Sequence, residues 1–168
     1  NRTIGMINKY FEGKLDTTNI ENTEFDKSLK EVTIQKVKEA ETKLEELHYS
    51  EALEKIWEIV SSANKYIDDT KPWVLAKSED KQEKQQLTSI MAHLVETLRI
   101  IAVLLQPFMS ETANKIFEQL NSDEKEWNSA YEFNINRGKI SISKNTEPLF
   151  VRLEVEKEME YLENLIKG

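Results

Sequence analysis

The sequence predicts an all-α fold, a bundle of about five helices, and three observations predict it. Apolar residues recur every three to four positions in long stretches between Ile4 and Leu120. Only 4 Gly and 3 Pro interrupt 168 residues. Gly13, Pro72 and Pro107 stand where the apolar periodicity stops. Hydrophobic content of 39% with 32% charged residues fits a soluble helical chain rather than a disordered one. The length suffices for one domain with its own core, read as residues 1–168.

Ile4, Ile7, Tyr10 and Phe11 lie at helical spacing, and Gly13 can supply the left-handed residue that ends this first helix. Arg2 and Lys9 are seven apart, two turns, so both project from one side; a solvated face is their plain reading. Residues 14–22 are polar and read as a loop. Thr23 is an expected N-cap, with Glu24 and Asp26 in the first turn, where the helix dipole favours acids. Phe25, Leu29, Val32, Val37, Ala40, Leu44 and Leu47 give the second helix one apolar stripe and a charged, solvated back. Ser50 is the expected cap of the third. Ala52, Leu53, Ile56, Trp57, Val60, Ala63 and Ile67 form its buried stripe, with Asn64 continuing that face.

Asp68, Asp69 and Thr70 are weak helix formers, and Pro72 cannot continue a helix. The chain must break there, and Trp73 follows. Two readings of Trp73 stand side by side: a core or capping ring, or a stacking platform for a nucleic-acid base with Lys65, Lys71 and Lys77 as phosphate partners. Asn64 has a matching pair of readings, a buried side chain fixing the break or a ligand contact.

Val74 to Ala76 add a short helical turn. Leu87 to Leu105 is the most apolar helix and is expected at the centre of the bundle, with His93 a satisfied structural side chain. Pro107 ends it, and Ser110 is expected to cap the next helix, whose inner face is Thr112, Ala113, Ile116, Phe117 and Leu120. From Asn121 the pattern turns irregular. Ile140 and Ile142 alternate with Ser, a weak two-residue period that suggests a short extended pair. Pro148 to Leu153 reads as extended, and Glu154 to Lys167 as a final acidic helix. No internal repeat or second domain is seen.

The formal net charge of −8 opposes nucleic acid globally, although Arg2, Lys9 and Lys14 make the first residues basic. With 0 Cys there is no disulfide, thiolate site or cysteine nucleophile, which suits a cytoplasmic location. No apolar run of the ~20 residues needed to span a bilayer is read, so no membrane partner is expected. No Gly-rich phosphate loop, HExxH motif or Cys/His cluster occurs, so neither a nucleotide nor a metal site is expected. The carboxylates are expected on exposed faces with ordinary titration, and no catalytic constellation is found. The chain starts at Asn1 rather than Met, as an excised piece would.

Four blocks, in order, resemble one family. Asn1-Arg2-Thr3-Ile4-Gly5-Met6-Ile7-Asn8-Lys9-Tyr10-Phe11 resembles the first helix of the anticodon-binding domain of methionyl-tRNA synthetases. Asn64-Lys65-Tyr66-Ile67-Asp68 with Lys71-Pro72-Trp73-Val74-Leu75-Ala76-Lys77 resembles its anticodon-contacting element. Leu98 to Leu105, Gln106-Pro107-Phe108-Met109 and Thr112-Ala113 resemble its central helix and turn. Pro148 to Leu153 resembles the segment returning toward the catalytic domain, with Val151 where the family often has Pro. The resemblance implies recognition of the CAU anticodon of methionine tRNA. Trp73 would stack on the first anticodon base and Arg2 contact the same base. Pro72, Asn64 and Lys9 complete the candidate set. It also implies an upstream catalytic domain of the same chain that uses ATP and magnesium for ligation, with no cofactor and no catalysis in these residues themselves. An anticodon domain of another class I synthetase, or an all-α interaction module without an RNA role, is the alternative.

Overall fold

A computed structural model describes residues 1–18, 20, 22–144, 148–150 and 154–167. Helix α1 (Arg2–Phe11) buries Thr3, Ile4 and Ile7. It ends on Glu12, whose left-handed backbone (φ 54°) takes the capping position expected of Gly13. Gly13 follows with φ +78°, and a Cβ there would meet Asn8 Oδ1 at 2.8 Å. Glycine is therefore needed at this position for both conformation and space.

Helix α2 (Glu24–Glu45) starts on a capping box in which Thr23 and Asp26 exchange backbone N–H bonds. Its buried stripe is Asp26, Leu29, Thr33, Val37 and Ala40. Phe25 and Leu47, expected inside, are exposed. Leu47 lies beyond the helix in the left-handed region. Helix α3 (Tyr49–Thr70) begins one residue before the expected cap, so Ser50 sits in the first turn, and His48 offers no side-chain cap bond. The stripe of α3 is rotated from the expectation: Ile59 and Tyr66 are buried, whereas Trp57 is exposed and Leu53 and Val60 are half-buried. The two helices run side by side. Part of their charged back is joined by ion pairs, with Lys36 2.7 Å from both Glu39 and Glu58, and Lys55 2.8 Å from Glu58.

Helix α4 (Pro72–Leu75) is one turn long. Helix α5 (Lys81–Leu105) is capped by Asp80, which accepts from the N–H groups of Gln82 and Glu83 at 2.8 and 3.0 Å. It is the centre of the bundle, touching α1, α2, α3, α4 and α6 (Ser110–Leu120). By length and composition it contains an 18-residue window apolar enough to cross a membrane. That window is 89% buried inside the protein, as a core helix must be. In α6, Met109 rather than Ser110 holds the N-cap position, without a side-chain bond.

A 3₁₀ helix (Trp127–Tyr131) interrupts the irregular stretch that follows. Residues 14–22, read as loop, open on a strand: β1 (Lys14–Asp16) pairs antiparallel with β2 (Lys139–Ser141), Leu15 opposite Ile140. The extended pair suggested at Ile140 is thus real, but its partner lies at the far end of the sequence. Helix α7 (Val155–Lys167) closes the described chain, with Val155, Met159, Tyr161, Leu162, Leu165 and Ile166 exposed. Val151, Arg152 and Leu153, expected extended, lie outside the described residues.

Two buried polar groups overturn the expectation that all carboxylates face solvent. Asp26 and Glu96 are 0% and 1% exposed. Glu96 holds Arg99 at 2.8 Å and Arg137 at 2.9 Å. Asp26 sits among Tyr66, Ser89 and His93.

Candidate nucleic-acid interface

The end of α3 is built to stop. The Thr70 hydroxyl donates to the Tyr66 carbonyl at 2.6 Å, competing with continued helix. Lys71 then turns left-handed (φ 46°, ψ 56°), and its N–H closes on Ile67 O at 3.1 Å. Pro72 disfavours right-handed helix at the preceding residue. Its own fixed φ suits the first position of a new helix, so α4 starts at once. Its turn is closed by Val74 N–H to Lys71 O at 2.8 Å and Ala76 N–H to Pro72 O at 3.0 Å. Pro72 is buried, while Leu75 and Ala76 pack on the core. That orientation turns Trp73 and Val74 outward, 38% and 54% exposed. Trp73 is thus neither a core residue nor a free one. Lys65, Lys71 and Lys77 are exposed around the break.

Arg2 is the first residue of α1, and its exposed guanidinium reaches Asp68 Oδ1 at 3.3 Å. Asp68 lies one turn after Asn64 on α3, so the two share a face. Asn64 is exposed, not buried as its apolar neighbours suggested, because the stripe of α3 runs through Ala63 and Ile67 beside it. Arg2 and Asn64 stand together at a cavity of about 400 Å³ floored by Val60, Ile67, Leu98 and Ile101. Trp73 is not among the residues that line this cavity. Lys9 is exposed with Nζ 5.5 Å from the Tyr10 ring centroid. Two turns of helix place it about 10 Å along α1 from Arg2. The structure therefore brings Arg2 and Asn64 together, ties Arg2 to the last turns of α3, and leaves Lys9 and Trp73 outside their cavity. Asp68, the partner of Arg2, was not singled out in the sequence. Its only signal there was its place in the helix that breaks at Pro72.

A family profile described as the anticodon binding domain of methionyl tRNA ligase matches residues 18–165. This chain belongs to that family. Methionine–tRNA ligases of Bacillus subtilis and Listeria monocytogenes are 46% and 44% identical to it over its whole length. The chain spans only 25% of the length of either relative. The methionyl-tRNA synthetase of Mycobacterium tuberculosis, solved bound by methionyl-adenylate, superimposes with a TM-score of 0.78 at 26% identity. The match covers 86% of this chain and 28% of that one. The free form of the same synthetase gives a TM-score of 0.79, covering 90% of this chain. The helical bundle expected from the sequence is thus the architecture of a methionyl-tRNA ligase anticodon-binding domain.

Proposed function

We propose that this chain grips the anticodon loop of methionine tRNA and reads its CAU triplet, so that a catalytic domain of the same protein can attach methionine with ATP. The observation that carries the reading is the half-open Trp73 ring, presented at a helix break by the buried Pro72 in a chain of this family. Anticodon bases in a loop can leave the stack, and an exposed aromatic face suits an unstacked base. Trp73 stacks on the first anticodon base, and Arg2 and Asn64 supply hydrogen bonds to the loop. The Arg2–Asp68 pair is exposed on both sides, 55% and 64%, and so is weak enough to exchange for a base at little cost. Pro72 fixes the ring, and Lys9 lies beyond as a phosphate partner. The work is cytoplasmic, where translation draws on charged tRNA.

No group of three or more acidic or imidazole side chains positioned for a metal ion is present among the described residues. The ligation chemistry, with its ATP and magnesium, belongs to the catalytic domain, and these residues take no chemical step in it.

The test is titration with two anticodon stem-loops, one carrying CAU and one with the first base changed. The chain is expected to prefer CAU, and Trp73→Ala to lose roughly 1–3 kcal/mol of that affinity, about one to two decades. Its loss of folding stability is expected to fall below the ~3–5 kcal/mol of a fully buried aromatic. Equal affinity of the parent chain for both loops would sink the proposal.

A further inference from the structure

The polar cluster around Asp26 lies outside the interface yet ends at it. Asp26 is fully buried at the start of α2. One carboxylate oxygen accepts from the Tyr66 hydroxyl and the other from the Thr23 N–H. Ser89 Oγ of α5 lies 3.5 Å from that second oxygen. His93 Nδ1 is 3.8 Å from the first and 2.8 Å from the Ser89 carbonyl. A carbonyl only accepts, so that ring nitrogen carries the proton. Burial first, then the neighbouring Asp26 charge and hydrogen bond, push the Tyr66 phenol well above its ordinary range, so the hydroxyl remains a donor.

Apolar packing alone would hold α2 against α3. It is non-directional and tolerates small rotations of one helix on another. A buried hydrogen bond does not, because breaking it leaves a desolvated acceptor. Tyr66 is four residues before Thr70, whose hydroxyl bonds the Tyr66 carbonyl, and seven before Trp73. The same residue therefore anchors α3 to α2 through its side chain and shapes the break through its backbone.

We propose that Asp26 and Tyr66 are positioning residues for anticodon recognition: their bond fixes the rotation of the last two turns of α3 and so the placement of Trp73. The inference rests on the reading that Trp73 stacks on an anticodon base. Neither side chain touches the RNA.

The test is Tyr66→Phe, which removes one oxygen and keeps the ring. With the 168-residue chain, affinity for the CAU stem-loop is expected to fall about tenfold, the scale of one buried hydrogen bond. Affinity for the changed-base loop is expected to hold, so discrimination shrinks by the same factor. The Trp73 resonance of chain labelled with 5-fluorotryptophan is expected to move. A folded Tyr66→Phe with unchanged discrimination and an unmoved Trp73 resonance overturns the proposal. If Tyr66→Phe does not fold, Asp26→Asn takes its place, because it replaces one of the two carboxylate acceptors by a donor and removes the charge that Tyr66 and Thr23 share. Failure of both to fold assigns the cluster to stability alone and also overturns it. The two readings fail separately: a parent chain without discrimination removes the anticodon reading. Discrimination lost in Trp73→Ala but intact in Tyr66→Phe removes only the strut.

Discussion

Arg99 lies in the middle of α5 with 2% of its surface exposed, which is tolerable only because every donor has a partner. Its Nη2 and Nε meet Glu96 at 2.8 and 3.1 Å. Other guanidinium hydrogens reach Ser129 Oγ at 2.7 Å and the Ser129 carbonyl at 2.9 Å. Arg99 thereby clips the 3₁₀ helix onto α5. Removing one member of a buried pair costs ~3–5 kcal/mol. Arg137 remains 2.9 Å from Glu96 and compensates in part. Arg99→Leu is therefore expected at the low end, about 3 kcal/mol, in denaturant melts. Trp127 fluorescence should change early in the melt, since its indole N–H bond to Glu41 at 2.8 Å anchors the same segment. None of this was legible in the sequence. A charged residue on a helix reads as solvent-facing, and only the fold shows that Glu96 and Arg99 point into the segment packed over α5. The buried reading of Asn64 failed in the opposite direction, since an edge position one turn after Val60 looks the same on paper as a buried one.

At the scale of elements, the break between α3 and α4 can be tested from its two sides. Lys71 holds a left-handed conformation that costs an ordinary residue roughly 1 kcal/mol. Lys71→Gly is expected to raise stability by about that amount while lowering the salt slope of stem-loop binding by about 0.7. A rise in melting temperature with an unchanged slope would leave Lys71 a structural residue only. Pro72→Ala frees the unfolded chain and is expected to cost about 1 kcal/mol of stability. Its loss of CAU affinity should be larger, because α3 can then extend and swing the ring; calorimetric titration beside a thermal melt separates the two. This break, the central α5 and the acidic α7 were all readable, because Pro and an unbroken apolar stripe are local signals. Of the β1–β2 ribbon only the Ile140 end was readable, from its alternation with Ser, and the β1 end was not. Lys14–Asp16 carries a single apolar residue, and the partner of Leu15 is Ile140, most of the chain away.

Across the whole molecule, ion pairs set the response to acid. Glu39 and Glu58 are held below the ordinary glutamate value of 4.5, chiefly by hydrogen bonds from Lys36. Glu124 is lowered in the same way by Arg137. Such groups contribute stability that is complete above their unfolded values and is lost as pH falls through the lower folded ones. The melting temperature is therefore expected to hold down to about pH 5 and then fall, less steeply in a Lys36→Met variant. A decline that begins near neutrality would point to some other group. Lysine contacts to phosphate release counterions, so stem-loop binding is expected to weaken as salt is added despite the net charge of −8. The ribbon has a consequence for how the chain is made. Helices α2, α3 and α5 are neighbours in sequence and can assemble as they leave the ribosome. Helix α1 touches α5 but also lies against β1, and the strand that completes β1 is synthesised late. Arg2 is therefore made long before the strand that completes the support of its helix. A nascent chain stalled before Lys139 should therefore carry a folded helical core whose first helix a protease still cuts.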